Sequence, residues 1–500
     1  MTKSKTCIVC GNPAGSKEHV FPASLGGRRK NSGIYCHTHD NSYSGLVANL
    51  GSQLDFLNAY LGVSSDHTKQ KKVVIEIDSK SGLKLAISAD SIKFTEPQIV
   101  SETLTGNGVE VSMNFPDMAA MKQWKKEQED AGYSVLAKGK PTTTRYIPGS
   151  VHHKRSFGGP CGLGALAYLM QTYAAQTFPN HARSGVISQF ISYTQAIAKV
   201  AILDGRESAD GESETFVAAR AALDESLKPF GGELPIWWDF SPLKESSPNA
   251  FAFGHRVTVG VDHIDGLIYA RFSLFDTLHF AACLGHSLDL TTSREVIIDI
   301  DPLAIHPPHD IAEQKSDSAL NRVTVPTDKT QSLREAISDG TMQRRFEDLH
   351  KRIVDHQLMR LAERMEASLA TGAGMGSWDR QMLIERVVDK DSQQVWRLAK
   401  HVMDGLAEAF RKGGQLPVAN IVSSMIAEDG QSSGGLSQSA EMCLTLAKAT
   451  LVAQMQQDLD DGVLDVNRIA ELMGRGTGMH MVGTALTAPL MKWAENAPAP

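Results

Sequence analysis

The chain has 500 residues, of which 42% are hydrophobic and 21% are charged. This composition is typical of a globular protein of about two to four domains, and it excludes collagen, coiled-coil and largely disordered classes. The formal net charge of −7 argues against a protein that coats nucleic acid non-specifically. The apolar stretch 266–285 contains Arg271, Asp276 and His279, so it does not predict a membrane helix. The first residues, MTKSKTCIVCG, lack the apolar segment of a secretory signal, and a cytoplasmic location is expected.

The first part of the chain shows a small module followed by a connecting region. Residues 1–42 are rich in Gly, Cys and His and predict a module that folds around a metal. Across 44–63, leucines recur at three- and four-residue steps, which predicts one helix. The segments VVIEID and LKLAIS alternate in polarity around a turn at 81–82 and predict a hairpin, and 118–128 predicts a short amphipathic helix.

The second part of the chain mixes helical and strand patterns before it becomes helical. The stretch 306–333 contains HPPHD, SDS and TVPTDKT and is interpreted as a linker. Helices are then predicted over 333–370, 377–411, 417–427, 437–460 and 464–473. The fold class expected is α+β multidomain. Its predicted parts are a zinc-stapled ββα-metal module at 1–65, a connecting region of hairpin and helix at 66–145, a central mixed α/β domain at 146–325, and an all-helical region at 333–500.

Two pairs of metal-ligand residues stand close together near the N-terminus. Cys7 and Cys10 are separated by two residues, and so are Cys36 and His39. A two-residue separation lets both side chains of a pair reach one ion, which is the pattern of a tetrahedral zinc site. The alternative is a set of buried free cysteines that act as small apolar residues, but this does not account for three cysteines in register.

Around these ligands the sequence resembles the HNH endonucleases of the ββα-metal fold. The first family element, an acidic residue and a His followed by Pro and a Gly pair, stands here as Glu18-His19-Val20-Phe21-Pro22-Ala23-Ser24-Leu25-Gly26-Gly27. The second is Asn31, five residues before Cys36, and the third is Asp40, directly after His39. These elements cover about the first 45 residues and agree with the family in order and spacing.

The resemblance implies a role for each of these residues. His19 would be the general base that deprotonates water, and Asn31 would orient His19 or its loop through a hydrogen bond. Glu18 and Asp40 would offer oxygen ligands to a catalytic Mg²⁺ or Mn²⁺, ions that prefer carboxylates and water. Zn²⁺ in the four-residue site would then be structural, since so small a module cannot bury a large core.

Two positions depart from the family pattern and leave alternatives open. His39 stands where most zinc-stapled members have a fourth Cys, and Asp40 stands where they have His or Asn. A shift of one residue would make Asn41 the ligand of the catalytic ion or His37 a phosphate contact. We favour His39 as the zinc ligand and Asp40 as the ligand of the catalytic ion, with Asn41 next.

Residues 1–31 are basic although the whole chain is acidic. Lys17, Arg28, Arg29 and Lys30 lie around the motif and are candidates for binding nucleic acid; a solvated charged surface is the alternative. The loop at 152–155, followed by GGPCGLG and a predicted helix, is interpreted as a helix cap in preference to an anion site.

The sequence therefore predicts a metal-dependent endonuclease that hydrolyses phosphodiester bonds in DNA, with RNA not excluded. By resemblance, such fusions in bacteria are often restriction or phage-defence effectors. The C-terminal helices would serve recognition, regulation, homo-oligomer formation or binding of a partner protein, and no membrane partner is expected. The alternative is a zinc-stapled protein that binds nucleic acid or assembles complexes without cleavage.

Overall fold

The computed structural model describes most of the chain, with gaps between the described ranges. These ranges are 5–65, 71–77, 82, 84–89, 92–106, 108–136, 156–204, 213–240, 248–304, 306–316, 323–372, 375–426 and 438–495. The structure is 54% helical and 18% strand, which confirms the mixed α+β class. None of the helices within the described residues has the length and apolar composition needed to cross a membrane.

The N-terminal segment has the order strand, strand, helix. Its elements are β1 (Glu18–His19), β2 (Lys30–Asn31), α1 (His37–Ser42), α2 (Ser44–Gln53) and α3 (Asp55–Leu61). In the antiparallel pair β1–β2, Glu18 lies opposite Asn31 and His19 opposite Lys30. The single helix predicted over 44–63 is wrong, because the chain breaks at Leu54. The break keeps the buried leucines on one side, and this is why periodicity did not reveal it.

The next segment contains two small sheets and one helix. Its elements are β3 (Val74–Ile77), β4 (Lys84–Ile87), β5 (Ile92–Phe94), β6 (Gln98–Thr105), β7 (Gly108–Asn114) and α4 (Met118–Asp130). The strands β3 and β4 are neighbours, as the predicted hairpin requires, although Ser81 of its turn lies outside the described residues. The predicted helix α4 is confirmed, and Asp117 caps it by accepting a hydrogen bond from the backbone N–H of Ala120 at 2.8 Å.

A six-stranded antiparallel sheet and four helices follow. The elements are α5 (Gly159–Thr177), α6 (Pro179–Arg183), α7 (Ser188–Asp204), α8 (Glu214–Leu227), β8 (Ile236–Trp238), β9 (His255–Asp262), β10 (Leu267–Leu274), β11 (Leu278–His286), β12 (Arg294–Ile300) and β13 (Asp310–Ser316). The sheet order is β13-β12-β9-β10-β11-β8. Alternate residues such as Val257, Val259 and Ala270 are buried in the core that this sheet shares with the helices.

The linker predicted over 306–333 is wrong in its first part. Residues Asp310–Ser316 form the edge strand β13, which pairs with β12 from Arg294↔Ser316 to Ile300↔Asp310. An edge strand is half solvated, and charged residues are common there because they prevent pairing with other chains. The polar composition of this strand therefore resembled that of a linker. Residues 317–322 lie outside the described part of the chain.

One polar contact lies on the face of the sheet opposite to the face that carries Val259, and it spans three strands. The ring of Tyr269 on β10 passes over Gly260 on β9, and its hydroxyl donates to Glu295 Oε2 on β12 at 2.8 Å. A Cβ atom at Gly260 would lie 2.3 Å from the Tyr269 ring. Glycine at this position therefore makes the buried Tyr269–Glu295 hydrogen bond sterically possible.

The remaining described elements are helices. They are α9 (Gln331–Ser338), α10 (Thr341–Ala370), α11 (Ser377–Lys390), α12 (Ser392–Lys412), α13 (Leu416–Ile426), α14 (Gln438–Asp460), α15 (Val466–Met473) and α16 (Thr477–Glu495). The helical C-terminal region is confirmed, but two predicted helices are each divided, at Gly340 with φ +75° and at Asp391. The helix α16 lies in the region predicted to be helical, but no separate helix was predicted there, and it contains Pro489.

The chain divides into two compact units. The first contains Met1–Val74, Ala86–Ile92 and Lys154–Ile353, and the second contains Ile75–Leu85, Lys93–His153 and Val354–Pro500. In the first unit the N-terminal segment and the sheet share one core. Phe21, in the loop between β1 and β2, stacks on Phe272 of the sheet at 5.8 Å between ring centroids. The second unit has its own core of helical residues, and the four-domain division stays a prediction.

Candidate metal centre

The first ligand pair lies in a tight loop. The backbone N–H of Cys7 donates to the carbonyl oxygen of Asn12 at 2.7 Å, and that of Gly11 donates to the carbonyl oxygen of Cys7 at 2.9 Å. Gly11 has φ +74°, a left-handed conformation that glycine adopts without strain. The loop reverses the chain direction, and Cys7 and Cys10 therefore point towards the same place.

The second ligand pair lies at the start of a helix. Cys36 is the N-cap residue of α1, and His39 lies in its first turn. The N–H of Ile8, between the first two ligands, donates to the carbonyl oxygen of Ile34 at 3.1 Å. This hydrogen bond holds the Cys7–Cys10 loop beside the start of α1.

The four ligand atoms form a compact group. Cys7 Sγ, Cys10 Sγ, Cys36 Sγ and one imidazole nitrogen of His39 all lie within 4.8 Å of one another. The His39 Nδ1 atom is 3.2 Å from Cys36 Sγ and 3.7 Å from Cys7 Sγ, and Cys10 Sγ is 3.9 Å from Cys36 Sγ. A tetrahedral zinc ion with Zn–S bonds of about 2.3 Å has S–S edges of about 3.8 Å. The cluster can therefore hold a metal such as zinc.

The burial of the cysteines and the pKa of Cys36 also suit metal binding. Cys7 is buried but Cys10 is exposed, which does not fit the alternative of a set of buried apolar cysteines. Hydrogen bonding from the backbone N–H of His39 lowers the pKa of the Cys36 thiol to about 6, against the opposing effect of burial. Cys36 is therefore largely a thiolate at neutral pH, which is the form that binds metal.

The β1–β2 hairpin carries the residues assigned to catalysis by resemblance. His19 is half-buried on β1, and Glu18 precedes it; the side chain of Glu18 lies outside the described residues. Asn31 on β2 accepts a hydrogen bond from the backbone N–H of Gly33 at 2.7 Å. The described hydrogen bond of Asn31 thus stabilises the turn that leads to Cys36.

Asp40 and Asn41 follow the fourth zinc ligand on α1. Asp40 is half-buried and accepts a hydrogen bond from the hydroxyl of Ser16, whereas Asn41 is exposed. Ser16 lies three residues before His19, a length of chain that spans at most about 11 Å. The Ser16–Asp40 contact therefore holds α1 against the segment that enters β1.

The four basic candidates differ in their surroundings. Lys17 and Lys30 are exposed. Arg28 Nη2 donates to the carbonyl oxygen and the hydroxyl of Ser64 at 2.8 and 3.0 Å. Arg29 forms an ion pair with Asp310 at 3.5 Å. Both lysines are thus exposed, and the two arginines contact Ser64 and Asp310.

Two residues near the metal cluster were not found from the sequence. Ser16 contacts Asp40, and Arg183 contacts the backbone beside Cys7. Neither belongs to a motif, and Arg183 lies 177 residues from its partner Thr6. No local pattern in the sequence indicates such a pairing.

The weaker sequence candidates have structural roles where they are described. Residues 152–155 lie outside the described residues. At the start of α5, Gly158 exchanges two hydrogen bonds with the side chain of Gln53, at 2.9 and 3.2 Å. These bonds engage the backbone groups at the start of the helix. His255 lies in the core, and burial lowers its pKa to about 3.

Comparisons with protein-family models, curated proteins and solved structures find no match to this chain. The resemblance to HNH endonucleases therefore depends on the motif residues of the sequence alone.

Proposed function

We propose that the protein is an HNH-type, metal-dependent endonuclease that hydrolyses phosphodiester bonds in DNA. The observation that carries the proposal is the strand-strand-helix order at the metal cluster. His19 and Asn31 lie on the paired strands β1 and β2, and Asp40 lies on α1. This is the order in which the resemblance places a base, a supporting amide and a metal ligand.

His19 acts in this proposal as the general base. Imidazole accepts a proton efficiently near neutral pH, and this activates water for attack on phosphorus. Asn31 supports the hairpin through its hydrogen bond to Gly33. The antiparallel pairing of β1 with β2 fixes the backbone of His19 opposite that of Lys30.

Asp40 and Glu18 would hold a catalytic Mg²⁺ or Mn²⁺, and Asn41 is the alternative ligand on α1. Their oxygen atoms are the donors that these ions prefer. When bound, such an ion stabilises negative charge on the phosphate and on the leaving oxygen. The Ser16 hydroxyl donates to Asp40 Oδ2 and holds the carboxylate near β1, so Ser16 would have to share or release this carboxylate when the ion binds.

The Cys/His cluster would hold a structural Zn²⁺ at the base of this arrangement. It joins the loop before β1 to the start of α1, so the ion would fix Asp40 relative to the hairpin. The exposed Lys17 and Lys30 lie beside the motif residues and would contact phosphates, with Arg28 and Arg29 as further candidates.

A cleavage assay with the full chain tests the proposal. Supercoiled plasmid DNA and a structured RNA would be incubated with the protein, with and without added Mg²⁺ or Mn²⁺. We expect metal-dependent conversion of the plasmid to nicked or linear forms. His19→Ala should reduce the rate by about 10²–10⁴-fold while zinc content is retained, because it removes the general base. His263→Ala is the matched control, because His263 directly follows β9 and its Nδ1 atom hydrogen-bonds the hydroxyl of Ser293 at 2.6 Å, outside the motif. This variant should cleave normally.

The rival function is binding of nucleic acid without cleavage. The observation that favours it is the hydrogen bond from Ser16 to Asp40, which engages a carboxylate that the catalytic ion would need. In that case the protein would bind DNA or RNA but cleave neither, and His19→Ala would leave nucleic-acid binding unchanged. Equal cleavage by His19→Ala and the unaltered protein would also contradict the assignment of His19.

A further inference from the structure

Arg183, the last residue of α6, contacts the backbone beside both ligand pairs. Its Nε and Nη2 atoms donate to the carbonyl oxygen of Thr6 at 3.0 and 2.9 Å. Its Nη2 atom also donates to the carbonyl oxygen of Gly33 at 2.6 Å. Thr6 directly precedes Cys7, and Gly33 lies three residues before Cys36. One guanidinium therefore joins the two segments that supply the ligands.

The arginine is itself held in place. Its Nη1 atom donates to the carbonyl oxygen of Pro179 at 3.0 Å, within the same short helix. The neighbouring Ala182 is 3% exposed and belongs to the core of the first unit. The backbone N–H of Phe178, just before α6, donates to the carbonyl oxygen of Ala174 in α5 at 2.7 Å. The guanidinium therefore needs little reordering when it bonds the ligand-bearing segments.

The charge of Arg183 complements that of a loaded metal site. Three cysteine thiolates, one neutral imidazole and one divalent ion sum to a net charge of about −1. Arg183 is half-buried, and burial lowers its pKa while the charge of Cys7 acts in the opposite direction. An arginine side chain keeps its proton in such surroundings. Partial burial strengthens its attraction to the anionic centre because there is less water to screen it.

We propose that Arg183 is a positioning residue of the metal centre. It holds the segments of Cys7 and Cys36 at the separation that the ion requires, and it offsets the negative charge of the thiolates. This inference rests on metal binding by the four ligands, which is part of the proposed function, and it does not depend on cleavage of nucleic acid.

The test measures metal binding by the full chain and by three variants. Arg183→Met removes the donors and the charge, and Arg183→Lys keeps the charge but not the fork of donors. Arg352→Met is the matched control, because Arg352 donates to the backbone carbonyls of Ala252 and Phe275 at 2.6 and 3.1 Å. Zinc affinity would be measured by competition with a chromophoric chelator, and site geometry by the absorption spectrum of bound Co²⁺.

We expect Arg183→Met to weaken zinc binding by about 10–100-fold and to alter the Co²⁺ spectrum, since residues that orient metal ligands have effects of this size. Arg183→Lys should lose less affinity, and Arg352→Met should lower thermal stability without changing zinc affinity. Equal affinity and an equal spectrum for Arg183→Met would overturn the proposal. So would an equal loss in Arg352→Met, or the absence of metal binding by the unaltered protein. A chain that binds zinc but cuts nothing would contradict the nuclease assignment alone.

Discussion

Asn31 and Arg183 hold Gly33 through its two backbone polar groups. The Asn31 side chain accepts from the N–H of Gly33 at 2.7 Å, and the Arg183 guanidinium donates to its carbonyl oxygen at 2.6 Å. Arg183 also reaches the carbonyl oxygen of Thr6, next to Cys7. A continuous series of hydrogen bonds therefore connects the β1–β2 hairpin with the metal cluster.

The first prediction concerns the Asn31 end of this series. Asn31→Ala removes an acceptor, and we expect a loss of about 0.5–1.5 kcal/mol in the free energy of unfolding, with slower DNA cleavage. Asn31→Asp keeps an acceptor oxygen for the Gly33 N–H and should retain most of the stability. Thermal unfolding and the plasmid assay measure the two effects. If Asn31→Ala is as stable as the unaltered protein, the hydrogen bond to Gly33 contributes nothing to stability.

Removal of a zinc ligand should release the metal. Cys7→Ser and Cys36→Ser each remove one thiolate, and we expect loss of about one zinc per chain and destabilisation of the N-terminal segment. Cys443→Ser is the control, since Cys443 is buried in the core of the second unit and should leave the metal content unchanged. Elemental analysis of freshly purified, chelator-free protein gives the answer. Finding no zinc in the unaltered protein would exclude the site.

Asp40 and Asn41 can be distinguished by their dependence on metal concentration. Asp40→Ala should weaken the response of cleavage to Mg²⁺ or Mn²⁺, and more metal should partly restore the rate, because the variant loses a ligand but keeps the base. Asn41→Ala should leave this response unchanged. The reverse result would identify Asn41 as the ligand of the catalytic ion.

Stability of the first unit should fall in mild acid because of one buried histidine, His255, and one half-buried histidine, His279. Burial lowers the pKa of His255 to about 3 and that of His279 to about 4, while the unfolded chain binds these protons near pH 6.5. The contribution of these neutral histidines to the free energy of unfolding is complete above about pH 6.5. It is lost as the pH falls from that value towards 4. His255→Phe should flatten this dependence. Thermal melts of the unaltered protein and of His255→Phe from pH 7.5 to 4 test this prediction. Parallel curves would show that His255 does not cause the pH dependence.

Gly260 should not tolerate a side chain. A Cβ atom there would lie 2.3 Å from the ring of Tyr269, so Gly260→Ala should displace Tyr269 and cost about 1–3 kcal/mol. Gly405 is exposed within α12, and a Cβ atom there would meet no side chain of the described residues within 4 Å. Gly405→Ala should therefore stabilise its helix by up to about 1 kcal/mol. Denaturant unfolding of both variants measures the free energy of unfolding, which should fall in Gly260→Ala and rise in Gly405→Ala. A neutral Gly260→Ala would show that the ring can move freely.

The metal ligands were predictable because each pair is local. A separation of two residues constrains both side chains whatever the rest of the fold does, and the four ligands lie between Cys7 and His39. Arg183 was not predictable, since its partners lie more than a hundred residues away and its neighbours carry no motif.

Secondary structure was predicted where apolar periodicity dominates and missed where another effect intervenes. The breaks at Leu54 and Asp391 keep the apolar residues on one side, and periodicity alone cannot reveal them. The strand β13 is polar because it lies at the edge of its sheet. Helix α16 contains a proline, which ordinarily ends a helix.

Phe21 has a practical consequence for protein engineering. Its ring lies 5.8 Å from that of Phe272 and 4.9 Å from that of His255, although Phe21 is only two residues beyond His19. A fragment ending at residue 65 would present this ring to water together with Leu25, Tyr35 and Tyr43. Such a fragment is a poor donor for a chimeric protein. A transplant of the motif has to include the sheet that receives Phe21, and the piece to move is therefore the whole first unit, residues 1–74, 86–92 and 154–353.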